Sequence, residues 1–330
     1  MVPFWAVEIV FLASVILSEA CNYCVPRYQC KTVHPTNYNS SFACAYNNHC
    51  CNELKETLPE IKITPWPPVR NQPSAPSQEP GLSNPDGLGM TKYVTEDQSK
   101  PSEFPWVVAL FKENQYFSVG SLVSAGVVLT AAHGVSHLIP GQICVRAGEW
   151  DFKSTTAETR DVERIVSHEN FDYMSGANNL ALLFLKTPFK LEDHIRTIWF
   201  PVSQKQFEER RCTAAGWGIN TSQVQSRVMK KVELPILNRN TCQDQLRRTI
   251  LGSGYNLPQS LICAGGITGQ VACPVDGGSP LFCSVDANKP HGYEQVGIAS
   301  WSIDCALRGV PEIFTDVTMF KEWISEKIQF

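Results

Sequence analysis

The thirteen cysteines fall into two clusters: Cys21, Cys24, Cys30, Cys44, Cys50 and Cys51 at the front, then Cys144, Cys212, Cys242, Cys263, Cys273, Cys283 and Cys305, with none between Cys51 and Cys144. This spacing constrains the chain more than any other feature, because cross-links kept within each cluster require two separately folded modules. The front segment is too short to be held by apolar burial alone, and an even set of six cysteines points to a disulfide framework. Zinc is the alternative, but adjacent Cys50-Cys51 suits tetrahedral ligation poorly and no Cys-x-x-Cys pair is matched by a second. So many cysteines belong to an oxidising compartment. The leader agrees: the apolar run Ile9 to Leu17 is followed by Ser18-Glu19-Ala20, which sets small residues three before and one before a cut ahead of Cys21. Residues 1–20 therefore read as a signal peptide and 21–51 as the front module. The leader lacks Lys and Arg and contains Glu8, which keeps a buried N-terminal strand as the other reading. Its apolar run falls short of the roughly 20 residues that a membrane-spanning helix needs, so the mature chain is expected to be soluble and secreted.

Eight prolines lie between Pro59 and Pro85, with Ser, Gln and Asn among them. Proline removes backbone donors and holds the chain extended, so 52–92 reads as a semi-rigid exposed spacer. Beyond it, from Trp106 onward, come short apolar runs such as Val107 to Phe111, Gly126 to Thr130 and Leu180 to Leu185, broken by turn residues. They predict an all-β domain over 93–330. Only the last dozen residues look helical, with Phe320, Trp323, Ile324 and Ile328 at helical spacing. A formal net charge of −4 and the lack of a basic run argue against a nucleic-acid partner.

Three local sequences carry chemistry: Leu129-Thr-Ala-Ala-His133, Asn178-Asn-Leu-Ala-Leu-Leu183 and Cys273-Pro-Val-Asp-Gly-Gly-Ser-Pro-Leu-Phe-Cys283. They resemble the segments that bear the catalytic His, Asp and Ser of chymotrypsin-like serine proteases, in the same order along the chain. Glu103-Phe-Pro-Trp106, Cys212-Thr-Ala-Ala-Gly-Trp-Gly218, Gly297-Ile-Ala-Ser-Trp301 and Trp323-Ile324 support the match. The front cluster, with Cys24-Val-Pro and Cys50-Cys51, resembles the clip domain that precedes such protease domains in arthropods. The resemblance implies a chymotrypsin-like double β-barrel with a C-terminal helix, preceded by a clip module.

The departures from the family pattern decide what the resemblance implies about activity. The family's Gly-Asp-Ser-Gly-Gly-Pro stands here as Val275-Asp276-Gly277-Gly278-Ser279-Pro280, so Gly277 takes the nucleophile's place and has no side chain to attack with. Ser279, two residues on, is not expected to reach the imidazole. His133 is kept, but the carboxylate that would orient it is Asn179, and the corresponding Asp-to-Asn change costs about 10⁴ in turnover in a catalytic member of this family. Val275 stands where a glycine N–H serves the oxyanion hole, and its β-branch hinders that backbone geometry. Val271 replaces the Asp of a trypsin-like pocket floor, and Ser302 and Glu312 stand at the pocket walls. The chain therefore resembles a non-catalytic homologue that acts by binding. Similar proteins are cofactors or regulators in arthropod haemolymph cascades such as melanisation and Toll signalling, which implies as partners extracellular proteases, their zymogens or prophenoloxidase-like targets. The rival readings are a residual hydrolase, and an adhesion, matrix or reproductive-tract scaffold.

By the same resemblance the disulfides are Cys21–Cys50, Cys24–Cys44 and Cys30–Cys51 in the clip module, and Cys212–Cys283, Cys242–Cys263 and Cys273–Cys305 in the β-domain. Ser118 and Gly134 stand where the family bridges across the catalytic His. The bridge that would tie the spacer to the β-domain lacks both ends, with no cysteine ahead of 83–87 and Trp199 at the far end. Cys144 is left over, as a buried thiol in the apolar Ile143-Cys144-Val145 or an intermolecular link, with the first favoured. Activation in the family frees an amine that pairs with the Asp before the nucleophile. The matching bond here is Lys92–Tyr93, whose bulky Tyr93 suits insertion poorly and leaves Asp276 without that partner. With no cysteine pairing across the bond, its cleavage is expected to release the front module. Asn39 and Asn220 fit the N-glycosylation pattern. Glu149, Asp151 and Glu158 lie in what resembles a Ca²⁺-binding loop, against the plainer reading of a solvated acidic loop; no other cofactor is implied.

Overall fold

The computed structural model describes residues 23–26, 30–33, 48–54, 79–89, 93–154, 157–201, 207–218, 224–266, 276–286, 289–303 and 309–328. The chain divides into two units, Met1–Gln72 and Pro73–Phe330. In the first, strands β1 (Tyr23–Pro26), β2 (Cys30–Val33) and β3 (Asn48–Leu54) form an antiparallel sheet with β3 in the middle. Cys24 lies opposite Cys50 in its register, and Val33 opposite Cys51. The side chains of the front cysteines, and hence their three expected bridges, lie outside the described residues.

The described residues of the second unit form twelve strands in two sets of six. β4 (Val107–Lys112), β5 (Gln115–Ser124), β6 (Val127–Thr130), β7 (Ile143–Ala147), β8 (Glu158–Ser167) and β9 (Ala181–Leu185) close into a barrel in the order β4-β5-β6-β9-β8-β7. β10 (Arg211–Gly216), β11 (Lys230–Pro235), β12 (Leu261–Gly265), β13 (Pro280–Asp286), β14 (Lys289–Trp301) and β15 (Pro311–Asp316) form the other set, in the order β11-β10-β13-β14-β15-β12. An isolated antiparallel bridge between Ile236 and Ala264 brings its two edges together. This is the all-β, chymotrypsin-like double-barrel fold.

The continuous apolar runs arise because several strands face two cores at once. Along β4, Val108 and Leu110 point into the first barrel, while Val107, Ala109 and Phe111 join the core that also holds Phe104, Trp106, Trp217 and Phe282. Alternation with period two is intact, but neither face meets water. β9 repeats the device, with Ala181, Leu183 and Leu185 inside the barrel and Leu182 packed with Val317, Phe320 and Ile324 at the C-terminus. Those last residues belong to a 3-10 turn, Val317–Phe320, capped by Asp316, and to a terminal helix, Lys321–Ile328.

Two readings of the sequence are corrected. Besides the terminal helix and a single helical turn at Ala132–Val135, the β-domain has a helix over Arg239–Arg247; Asn238 caps it by accepting from the Asn240 N–H at 2.9 Å, and only Cys242 and Leu246 are buried. Residues 79–89, read above as part of a spacer, lie along the second unit, where Leu82 pairs with Gly292 and Ser83 is buried.

Candidate functional site

After β6 the chain turns through Ala131 into a single helical turn, α1 (Ala132–Val135), which buries Ala132 and Val135 and brings His133 to the cleft between the barrels. Asn178 adopts φ 54°, a left-handed conformation that asparagine tolerates, and delivers the buried Asn179 just ahead of β9. Asn179 is held at every polar atom that bears on the site. Its Oδ1 accepts from the His133 backbone N–H at 2.9 Å, its Nδ2 donates to Ser300 Oγ at 2.8 Å, and its carbonyl accepts from Thr315 Oγ1 at 2.9 Å. The same Nδ2 lies 2.9 Å from His133 Nδ1. A backbone N–H only donates, so Oδ1 belongs beside it and the amide N–H faces the ring. Nδ1 is then the acceptor, and the ring's proton sits on Nε2, where a general base needs a lone pair. Burial lowers the His133 pKa below the ordinary histidine range, and His137 acts in the same direction.

Gly277 lies against this ring. A Cβ built on Gly277 would stand 2.6 Å from His133 Nε2 and 2.8 Å from its Cε1, so the imidazole occupies the space of a nucleophile's first carbon. The Gly277 carbonyl accepts from Ser118 Oγ at 2.8 Å. Gly278, at φ 91°, passes so close to β5 that a Cβ would meet the Val119 carbonyl at 2.2 Å. Ser279 is fully buried and its Oγ accepts from the Asp276 N–H at 3.2 Å, which leaves its hydroxyl engaged away from the ring.

Asp276 has a partner that local sequence did not reveal. The Tyr116 hydroxyl on β5 donates to its carboxylate, and the Trp217 backbone supports it too. Tyr116 is seated among rings, with Phe152 at 5.1 Å, Phe111 at 6.0 Å and Trp217 at 6.1 Å between centroids. Burial pushes the Asp276 pKa up to about 6, against the lowering effect of the phenol. Tyr116 is raised well above the usual tyrosine range by burial first and by the Asp276 charge second.

At the pocket wall, Ser302 Oγ donates to the buried Glu312 carboxylate at 3.1 Å. The calcium-loop acids are dispersed into other contacts: Asp151 pairs with Arg227 at 2.9 Å, Glu158 with Arg160 at 2.8 Å, and buried Glu149 accepts from the Trp150 N–H at 3.2 Å, with its pKa raised by burial to about 6. Among the described residues no cluster of three or more His, Cys, Asp or Glu is placed to hold a metal. Cys212–Cys283 and Cys242–Cys263 are bridged, and Cys144 on β7 is a half-buried free thiol. Tyr93 is fully exposed. Val271, Val275, Cys273, Cys305, Lys92, Asn39 and Asn220 lie outside the described residues. No helix among the described residues is long and apolar enough to cross a membrane.

Beside His133 and Asn179 opens a cleft of about 510 Å³ walled by Phe171, Tyr173, Met174, Tyr255 and Trp301. Tyr173 and Met174 are exposed at 73% and 91%. Trp301 lies over Gly176, where a Cβ would come within 2.6 Å of its Nε1. Trp301 Nε1 and the Tyr255 hydroxyl are buried atoms with no hydrogen-bond partner among the described residues.

Comparison with known proteins agrees with this architecture. The trypsin family model matches residues 93–324. Phenoloxidase-activating factor 2 of Galleria mellonella is 37% identical over 292 residues, which cover 82% of this chain and 94% of that protein. The inactive CLIP domain-containing serine proteases A8 and A28 of Anopheles gambiae are each 32% identical, covering 76% and 75% of this chain and 71% and 67% of their own lengths. The chain belongs to the trypsin family and, within it, to the clip-domain serine protease homologues.

Proposed function

We propose that this protein is a secreted, non-catalytic clip-domain homologue that acts by binding, as a cofactor or regulator in an extracellular protease cascade. One observation carries the reading: the His133 ring fills the place of the nucleophile's first carbon at Gly277, while the Asn179 amide turns its proton the wrong way round for a base. No hydrolysis of the family's kind can start from that arrangement. Relatives whose names call them inactive, and one named as a phenoloxidase-activating factor, support the reading. The cleft supplies a surface for it. Its aromatic walls suit an apolar side chain of an extended polypeptide. In this reading residues 1–20 are a signal peptide and 21–51 the clip module.

Two measurements test it. A serine-directed phosphonate is expected to leave the protein unlabelled, and labelling overturns the reading in favour of a hydrolase. The immobilised chain is expected to retain a protease zymogen or a prophenoloxidase from haemolymph, and the Trp301→Ala variant to retain about tenfold less. Equal retention by the variant removes the cleft from the proposal.

A further inference from the structure

Residues 79–89 lie on the amino-terminal side of Lys92–Tyr93, yet nearly every bond they make is to residues on the other side of it. Five backbone hydrogen bonds cross the Lys92–Tyr93 bond in this way. Gly81 N–H donates to Thr197 O at 2.7 Å and Gly81 O accepts from Tyr293 N–H at 2.8 Å. Ser83 N–H donates to His291 O at 2.9 Å, Asn84 N–H to Glu103 O at 2.9 Å, and Leu88 N–H to Pro101 O at 2.8 Å. Asn84 is the centre of the arrangement. Its Nδ2 donates to both Ser102 O and Asp193 O at 2.8 Å, and its Oδ1 accepts from Arg196 at 3.2 Å. Arg196, itself buried and paired with Asp193, also donates to Leu82 O at 3.1 Å, and Lys100 Nζ reaches Pro85 O at 2.7 Å. Every polar atom of the Asn84 side chain is thus used, and each would be stranded if the segment left.

The packing is as specific as the bonding. Gly81 has φ 74°, and a Cβ there would fall 2.2 Å from the Tyr293 carbonyl and 3.0 Å from Trp199 Cδ1. The Gly81 turn and the Trp199 indole therefore meet at the place where the sequence lacks a cross-link. We infer that residues 79–89 are a non-covalent tether, and that the amino-terminal part of the chain stays on the β-domain after cleavage between Lys92 and Tyr93. This reverses the release expected from the cysteine pattern alone. Cleavage then yields a two-chain protein held by a surface made of Asp193–Trp199, His291–Tyr293 and Lys100–Glu103, and the bond cut is not a covalent link that the assembly needs. The inference is independent of whether the site at Gly277 is catalytic.

The test uses the full secreted chain with a specific protease site inserted between Lys92 and Tyr93. After cutting, the two pieces are expected to separate on a denaturing gel without thiol, and to elute as one species in native size exclusion. A second variant carries the site between Gln72 and Pro73, ahead of the tether; there the front module is expected to elute separately. Combining Gly81→Ala with Asn84→Ala, which alters only the tether and leaves the domain's own contacts in place, is expected to speed loss of the front piece from the Lys92-cut form by about tenfold or more. Native separation of the Lys92-cut wild type overturns the inference. Retention of the front after the Gln72 cut, or an unchanged off-rate in the double variant, overturns it as well, because something other than 79–89 would then be holding the pieces. Failure of the pieces to part without thiol would show a covalent link and sink it equally.

Discussion

Asp276 and Gly277 are neighbours in sequence, and the contrast between them explains how this domain stays folded without its family's machinery. At Gly277 a small side chain is missing from the edge of a cleft, and the neighbouring imidazole fills the gap. Nothing charged is left behind. At Asp276 the situation is the reverse, since a carboxylate is kept in the interior, where an ion without partners costs several kcal/mol. It is supplied with a phenol from β5 and a backbone amide from Trp217. A side chain at a cleft rim can vanish while its neighbours adjust, whereas a buried ionisable group persists only with a partner. The two corners are tied together by Ser118, whose hydroxyl holds the Gly277 carbonyl two residues along the strand from Tyr116.

The largest effect expected from this contrast is a failure to gain function. Gly277→Ser places a Cβ 2.6 Å from His133 Nε2, so the ring or the backbone must shift before the new side chain fits. The Asn179 amide still orients the ring wrongly, a deficit of about 10⁴ in turnover by itself. Hydrolysis of basic chromogenic peptides is expected to stay at background, in Gly277→Ser alone and under single-turnover conditions. A clear rate would show that the gap at Gly277 is a simple deletion, with the surrounding site still poised.

A second test asks how rigid the Gly277 corner is. A Cβ on Gly134 would lie 3.6 Å from Ser118 Oγ, so the two side chains face each other across a gap that a disulfide can close with a small adjustment. Ser118→Cys with Gly134→Cys is expected to cross-link spontaneously, verified by thiol titration. A loop of this size is stabilised by about 3 kcal/mol, less about 1 kcal/mol for the lost hydrogen bond to Gly277. Denaturant unfolding with and without reductant measures it. If the bridge forms but lowers stability, the Ser118–Gly277 contact matters more than the contrast above allows.

Much of this architecture is legible in the sequence, for reasons that also mark its limits. Strands β4, β6 and β9 announce themselves because each buries both faces, and a run such as Val107 to Phe111 is hard to place elsewhere. His133, Asn179 and Gly277 sit in short local motifs, so their places could be counted off. The helix Arg239–Arg247 escaped notice because only Cys242 and Leu246 face inward, too few to show a period. The tether escaped because prolines argued for a spacer, while its anchoring runs through backbone groups and Asn84, which composition does not report. The Tyr116–Asp276 pair joins residues 160 positions apart, and nothing local marks either as the other's partner.

That pair gives the smallest and most diagnostic effect, because it makes the contrast depend on pH. The folded-state pKa of Asp276, about 6, lies above its ordinary 3.8, so the native state binds the proton more tightly than the unfolded chain. Stability from this group is therefore present at low pH and is lost as pH rises from about 4 to about 6. Tyr116→Phe removes the donor that opposes the rise, so the pKa climbs further and the loss continues to higher pH. The variant is expected to be about 1–3 kcal/mol less stable than the parent near pH 8, the cost of leaving a buried charged group short of a hydrogen bond. Near pH 4, where the carboxyl is neutral in both proteins, the difference should shrink. Asp276→Asn should remove the part of the dependence between pH 4 and 6 that this carboxyl supplies, leaving the same-direction slope of Glu149, whose pKa is raised to about 6, and the opposite slope of His133, whose lowered pKa makes stability fall as pH drops below about 6.5. Urea unfolding of the three proteins at the two pH values decides the matter: an equal deficit in Tyr116→Phe at both would mean that the phenol serves packing among Phe111, Phe152 and Trp217, and that the carboxylate beside Gly277 is satisfied without it.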